Sequence, residues 1–237
     1  MSIFLSPDTW LSLITLTTLE LVLGADNLVM LSILVSGLPK DKQDAARKLG
    51  LAFALITRVI LLCGISWLVG LVKPFFYLFS HPFSMRDLVV IVGGGFLIYK
   101  GSIEIYNLWS GKHSEAHAAK GGVFWVAFQI ALFDIIFSID SVFTAVGLSR
   151  HLPVMIIAIV IAMAFMLFFS GFLVKMITAF ISVKVLALAF VVLIGVHLFT
   201  GGFNIHIPKE YLYTAMGFSA LVEVLIILIN RRNPKAA

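Results

Sequence analysis

Charged side chains are scarce in this sequence. Only 12% of its 237 residues are Asp, Glu, Lys or Arg, whereas 61% are hydrophobic. Soluble domains carry about 25% charged residues, so the composition argues against an ordinary soluble domain. Several apolar runs reach the roughly 20 residues that cross about 30 Å of hydrocarbon. The sequence therefore predicts a single transmembrane domain over residues 1–237, embedded in a lipid bilayer.

Cysteine is nearly absent, and so is a signal peptide. The one cysteine, Cys63, lies in an apolar segment, which excludes a disulfide framework and a cysteine-based metal site. The N-terminal MSIFLSPD has no positively charged region before its apolar run, so we expect the first span to be retained. The net charge of +5 does not indicate nucleic-acid binding, because membrane proteins collect basic residues in their cytoplasmic loops.

Seven apolar segments predict an all-α, polytopic membrane helix bundle with seven transmembrane helices. These segments cover roughly residues 9–36, 44–72, 86–108, 121–148, 152–174, 183–200 and 210–230. The loops on the N-terminal side hold four basic residues, and those on the other side hold eleven. The positive-inside rule then places the N-terminus outside and the C-terminus in the cytoplasm.

Two parts of the chain resemble each other. The stretch ELVLGADN begins at Glu20, and the similar stretch DIIFSIDS begins 114 residues later, at Asp134. The second acids of the two stretches, Asp26 and Asp140, are also 114 residues apart. Each motif has an acid, five residues, a second acid and then a small polar residue. Two matched acid pairs in apolar runs indicate an internal duplication.

The duplication divides the chain into a repeat A over about 9–108, a repeat B over about 121–200 and one extra helix over about 210–230. Because each repeat has three spans, an odd number, the second repeat enters the membrane from the opposite side. We therefore expect a 3+3 inverted repeat. Secondary transporters often have this plan, with a binding site at the repeat interface near the membrane midplane.

The acids of the first and fourth spans need compensation in the membrane. An Asp at a helix centre costs about 2.5–3.5 kcal/mol, so four unpaired carboxylates would cost on the order of 10 kcal/mol. Away from the span ends, the membrane interior contains two basic residues, Arg58 and Lys100, fewer than the acids. Such an excess of acid is typical of a site for an external cation. The predicted metal ligands are Glu20, Asp26, Asn27, Asp134, Asp140 and Ser141.

These ligands offer only oxygen, which suits Mg²⁺, Ca²⁺ or Mn²⁺ better than Zn²⁺ or Cu⁺. Within each pair the acids are six residues apart, which is about 240° around a regular helix, so they would not share a face. A break near Gly24–Ala25 and another near Ser138–Ile139 would bring them together and free backbone carbonyls beside them, as in several transporters. We expect both breaks.

Other ionisable residues in the spans are candidates for supporting or coupling roles. Arg58 is expected to form an ion pair inside the bundle, with Glu223 as its candidate partner, and Lys100 to extend toward the interface. His197 is a candidate proton carrier, although a packing role is open as well. A purely structural role for the acids, neutralised by protons or by Arg58 and Lys100, also stays open.

ELVLGADN and DIIFSIDS resemble the paired signatures of the TerC family of membrane proteins, as do S-x-R-D-L, LIYK and F-S-x-x-V-E further along the chain. The family is named for tellurium resistance, and its better-supported role is manganese efflux, including metal supply to secreted proteins. The resemblance implies a Mn²⁺ exporter with the same six residues as its metal ligands. Regulation through the nucleotide-binding-like soluble domains of some relatives is not expected.

The resulting hypothesis is a bacterial inner-membrane transporter, not an enzyme, that moves Mn²⁺ out of the cytoplasm and is driven by protons. Ca²⁺ and Mg²⁺ are the alternative ions. A first rival is a non-transporting partner of the secretion machinery or of membrane-protein assembly, and a homo-oligomer is possible in either case. A second rival is an intramembrane acid-dyad protease or a metal-dependent hydrolase.

Overall fold

The computed structural model describes residues 7–64, 74–78, 81–111, 122–148, 152–205 and 207–232, and the side chains of 9–64, 83–111, 122–138, 152–205 and 207–229. The predicted all-α architecture is confirmed over these residues, which form eight helices. The helices are α1 (Pro7–Leu23), α2 (Ala25–Ser36), α3 (Lys40–Cys63), α4 (Met85–Trp109), α5 (Gly122–Leu148), α6 (Leu152–Ala179), α7 (Ile181–Gly202) and α8 (Lys209–Arg232).

A short antiparallel hairpin, which the sequence did not predict, precedes α4. Its strands are β1 (Pro74–Leu78) and β2 (His81–Ser84). The last residue of β2, Ser84, also caps α4: its hydroxyl accepts from the Asp87 backbone N–H at 3.2 Å, and the Asp87 carboxylate accepts from the Ser84 N–H at 2.9 Å. This reciprocal capping satisfies two N–H groups at the helix start and sets where α4 begins.

Four of the described helices, α4, α6, α7 and α8, are long and apolar enough to cross a membrane. The bent pair of α1 and α2 raises this number to five if the pair forms one span. The chain is therefore a multi-pass membrane protein. The seven-span count and the inverted repeat stay predictions.

The first span bends at Gly24, as predicted, and α1 and α2 meet there at an angle of 43°. A Cβ atom on Gly24 would lie 1.7 Å from the Cε atom of Met166 in α6, so a larger residue at this position would displace the end of the Met166 side chain. The second predicted break, near Ser138–Ile139, is wrong, because α5 continues unbroken through it. Ser138 carries a side chain that bonds within the helix, to Asp134 one turn earlier at 3.1 Å.

The helices pack in three main groups: α3 against α5, α1 and α2 against α6, and α4 against α7. The crossing of α4 and α7 depends on two glycines, since a Cβ on Gly94 would lie 2.6 Å from the Phe199 backbone nitrogen, and one on Gly195 would lie 2.9 Å from the Gly94 carbonyl oxygen. Helices α2 and α5 contribute to both hydrophobic clusters of the bundle. They therefore lie at its centre.

Candidate metal centre

Arg58 joins two of the predicted metal ligands in the interior. Its Nη2 lies 2.9 Å from Asp134 Oδ1, its Nε lies 3.1 Å from both Asp134 oxygens, and its Nη1 donates to Glu20 Oε2. Arg58 and Glu20 are each 1% exposed and Asp134 is 4% exposed. Arg58 thus forms an ion pair inside the bundle, as predicted, but its partners are Glu20 and Asp134. The expected partner, Glu223, instead accepts a hydrogen bond from Ser182.

Two further donors surround Asp134. Asn27 Nδ2 lies 3.0 Å from Asp134 Oδ1, and Ser138 Oγ lies 3.1 Å from Oδ2. Glu20 precedes the bend at Gly24 and Asn27 follows it, so the bend places side chains from both α1 and α2 beside Asp134 of α5. Three of the predicted ligands, Glu20, Asn27 and Asp134, therefore come together with Arg58.

Several buried oxygen atoms around the bend have no hydrogen-bond partner among the described residues: Glu20 Oε1, Asp26 Oδ1, Asn27 Oδ1 and Thr17 Oγ1. Buried polar groups in proteins are nearly always paired, and an unpaired one costs about 1–3 kcal/mol. The first three are carboxylate or carbonyl oxygens, which only accept hydrogen bonds or bind cations. A cation or a proton donor would satisfy them.

Asp26 faces a different part of the bundle from Asn27. It lines a cavity of about 30 Å³ with His197 of α7 and with Lys209 and Tyr213 of α8, whereas Asn27 lines a cavity of about 20 Å³ beside Asp134. Adjacent residues on a helix point in different directions, about 100° apart. The predicted ligand set is therefore divided between two small cavities.

The other two predicted ligands, Asp140 and Ser141, belong to α5, but their side chains lie outside the described residues. Among the described side chains, no three His, Cys, Asp or Glu residues converge as a ready-made metal site. The centre in this conformation is thus a carboxylate pair held by an arginine rather than an open acidic cluster.

A larger cavity lies toward each end of the bundle. One, of about 120 Å³, is lined by Met30, Lys100, Glu104, Gln129 and Lys184 among others. Met30 also lines the cavity beside Asn27 and Asp134. Lys100 is exposed, as expected of a lysine that extends toward the interface, and the Lys184 ammonium lies 4.0 Å from the Glu104 carboxylate.

The second large cavity, of about 370 Å³, lies near the opposite end of α4 and is lined by Arg86, Asp87, His197, Lys209 and Glu210 among others. His197 and Lys209 also line the small cavity of Asp26. Each large cavity therefore shares lining residues with a small cavity at the α1–α2 bend. Met30 lines both cavities on the side of Asp134 and Lys100, and His197, Leu198 and Lys209 line both cavities on the side of Asp26.

Comparison with known proteins assigns the family. The model of the integral membrane protein TerC family matches residues 5–237. The chain belongs to the TerC family. It is 45% identical over 229 residues to the UPF0053 protein of Haemophilus influenzae (strain ATCC 51907 / DSM 11121 / KW20 / Rd), which covers 95% of this chain and 96% of that protein.

Two Escherichia coli (strain K12) proteins are similarly related to this TerC-family chain. The UPF0053 inner membrane protein YgdQ is 45% identical over 228 residues, which is 96% of each chain. The UPF0053 inner membrane protein YoaE is 46% identical over 235 residues, which is 98% of this chain but 45% of YoaE. The chain thus spans about half the length of YoaE. No solved structure matches it.

Three residues of this site were not identified from the sequence of the TerC-family chain. The sequence predicts Ser138 only as the position of a helix break, and it assigns no role to Met30 or Tyr213. Ser138 lies four residues after Asp134, a spacing that places two side chains on one helix face and could have indicated the contact. No comparable signal distinguishes Met30 or Tyr213.

Proposed function

We propose that this TerC-family chain is an inner-membrane transporter that moves a divalent cation, with Mn²⁺ favoured, out of the cytoplasm. The observation that carries the proposal is the buried centre at which carboxylates from two parts of the chain, Glu20 and Asp134, meet Asn27 beside partnerless oxygen atoms. An all-oxygen site suits Mn²⁺, Ca²⁺ and Mg²⁺. Family resemblance favours Mn²⁺ among them, and the relatives YgdQ and YoaE are named inner membrane proteins.

The helix packing supports a transporter built from two inverted repeats. In the predicted repeat, α3 corresponds to α6, α4 to α7, and the α1–α2 pair to α5. Helix α3 packs on α5 while its counterpart α6 packs on α1 and α2, and α4 packs on its own counterpart. A pseudo-twofold axis would produce this exchange of partners. A substrate site at the interface of the repeats is the arrangement that inverted-repeat transporters use.

The cavities give each ligand a role in this proposal. The ion enters from the cytoplasmic end, which the excess of basic residues identifies as the end of Lys100 and Lys184, and passes Met30 to reach Glu20, Asn27 and Asp134. Asp26 receives the ion on the outward side. Asp140 and Ser141 complete the proposed shell.

Proton coupling belongs to the outward side. His197 lines both the small cavity of Asp26 and the large cavity beyond it, so its imidazole has access to both. Histidine changes charge near neutral pH, which suits a residue that passes protons inward as the metal moves outward.

Flux in proteoliposomes tests the proposal. Wild type is compared with Asp134→Asn, and Mn²⁺, Ca²⁺ and Mg²⁺ are offered separately. Asp44→Asn serves as the control, because the Asp44 side chain is 58% exposed and lies outside the centre. Among the described contacts, it pairs only with Arg47 and Lys48 on the same helix. We expect Mn²⁺ flux in wild type and Asp44→Asn and its loss in Asp134→Asn. Folded, inserted wild type that moves none of the three ions would refute transport and favour the assembly-partner alternative.

A further inference from the structure

Arg58 occupies the place between Glu20 and Asp134 that the proposed function gives to the metal ion. We propose that Arg58 is a tethered counter-cation, whose guanidinium alternates with the transported divalent ion at these two carboxylates. This inference rests on the proposed function and adds the residue that keeps the unloaded centre compensated.

The hydrogen bonds at Asp134 show why the two cations compete. Oδ1 accepts from Arg58 Nε, Arg58 Nη2 and Asn27, and Oδ2 accepts from Arg58 Nε and Ser138. The five contacts come from four donor groups, because the single Arg58 Nε–H is shared between the two oxygens. A carboxylate has about four lone-pair positions, so these four donors leave none for a metal. A divalent cation can bind both oxygens of Asp134 only if donors leave, and Arg58 supplies two of the four, Nε–H and Nη2–H.

Charge leads to the same conclusion. With both carboxyl groups ionised, Glu20 and Asp134 together carry a charge of −2 in a region that is almost fully buried, and Arg58 brings the charge of the three groups to −1. A divalent cation would neutralise the pair alone, and a guanidinium held at the same oxygens would then repel it, because like charges at contact distance interact strongly in a low dielectric. The pair therefore accommodates one cation or the other.

Alternation of Arg58 and the metal at the carboxylates explains how the carrier, after releasing its metal outside, returns empty to the state that faces the cytoplasm. Removing one partner of a buried ion pair leaves an uncompensated buried charge, which is strongly unfavourable. Arg58 prevents this when the metal departs, since its guanidinium is charged at every physiological pH. Without Arg58, the empty carrier would return less readily than the metal-loaded carrier, so net export should fall while exchange of metal persists.

The test uses the purified full chain with Arg58→Met, which is similar in length but neutral, and Arg58→Lys, which retains the charge. Mn²⁺ affinity, net Mn²⁺ flux down a gradient and Mn²⁺/Mn²⁺ exchange are measured for each. We expect Arg58→Met to bind Mn²⁺ about tenfold more tightly, a difference of about 1.4 kcal/mol, to lose net flux and to retain exchange. Arg58→Lys should retain part of the net flux, because an ammonium keeps the charge but not the forked geometry.

A purely structural Arg58 would give a different pattern, in which affinity, net flux and exchange fall together in Arg58→Met. That pattern, or unchanged affinity and net flux in folded protein, overturns the inference while transport by wild type still stands. Wild type that neither binds nor moves Mn²⁺ overturns the proposed function as well.

If Arg58→Met does not fold, wild type provides the measurement. Modification of Arg58 by hydroxyphenylglyoxal, followed by peptide mass spectrometry, should rise several-fold when Mn²⁺ is added, because the displaced guanidinium no longer binds the carboxylates. An Mn²⁺-independent reaction in protein that binds Mn²⁺ overturns the inference.

Discussion

The crossing of α4 and α7 allows a sharp test of the fold, through two neighbouring glycines. A Cβ on Gly94 would lie 2.6 Å from the backbone nitrogen of Phe199 and 2.7 Å from the carbonyl oxygen of Gly195. A Cβ on Gly95 would meet only the Phe199 ring, at 3.8 Å, which is an ordinary contact. Gly94→Ala therefore pushes two helices apart, whereas Gly95→Ala does not.

The size of the effect follows from two opposing terms. Both substitutions gain up to about 1 kcal/mol of helix propensity. Only Gly94→Ala also meets backbone atoms that cannot rotate away, and overpacking of this kind costs about 1–3 kcal/mol or more. At about 2–4 °C per kcal/mol for a chain of this size, we expect Gly94→Ala to unfold roughly 2–12 °C below Gly95→Ala.

Thermal unfolding of both variants in the same detergent, monitored by circular dichroism, measures this difference. The two glycines are adjacent on one helix, so Gly95→Ala is a matched control. Comparing the unfolding temperatures of the two variants cancels the contributions of helix propensity, expression and detergent. Equal unfolding temperatures would refute the close α4–α7 crossing, and with it the packing of these two helices as counterparts in a repeat.

Two further results are expected. Gly24→Ala should lower stability, because its Cβ would lie 1.7 Å from Met166 Cε and 2.8 Å from the Glu20 carbonyl oxygen. Met166→Ala removes the first contact but not the second, so the double variant should recover part of the loss, and a loss unchanged by the second substitution would count against the Met166 contact. Mn²⁺ at about 100 times the Kd of the wild type should stabilise the wild type by about 2.7 kcal/mol and Glu20→Gln by clearly less. Thermal unfolding with and without Mn²⁺ measures this difference. An equal rise in the unfolding temperature of both proteins would show that Glu20 does not belong to the site.

Apolar length is a local property, so the sequence predicts the four described helices that are long and apolar enough to cross a membrane, and the bent α1–α2 pair as a fifth if it forms one span. It also predicts that Glu20 and Asp134 belong together, since both are buried acids at matched positions of a duplication. The strands Pro74–Leu78 and His81–Ser84 fall between two predicted spans, and the sequence does not predict them because an aromatic run with prolines carries no clear period. Their pairing is visible only in the structure.

The partners of Arg58 depend on how the helices pack and could not be predicted from the sequence. Arg58 and Glu223 are both charged residues inside apolar spans, so the sequence alone made them a reasonable pair. In the structure, α8 lies at the edge of the bundle and contacts α7, which leaves Glu223 near Ser182. Arg58 lies in α3, which packs on α5, and Asp134 is therefore within its reach.

The difference between the two matched motifs follows from one position in each. Gly24 allows α6 to approach at the bend, whereas its counterpart Ser138 has a side chain that bonds to Asp134 within the continuous helix α5. The two halves thus share their acids but not their backbone shape. Asp134 lies within the continuous helix α5, and the bend lets Glu20 and Asn27 reach it from two helices. If the centre rearranges to admit a cation, we expect the movement at Gly24, where the span is already divided into α1 and α2.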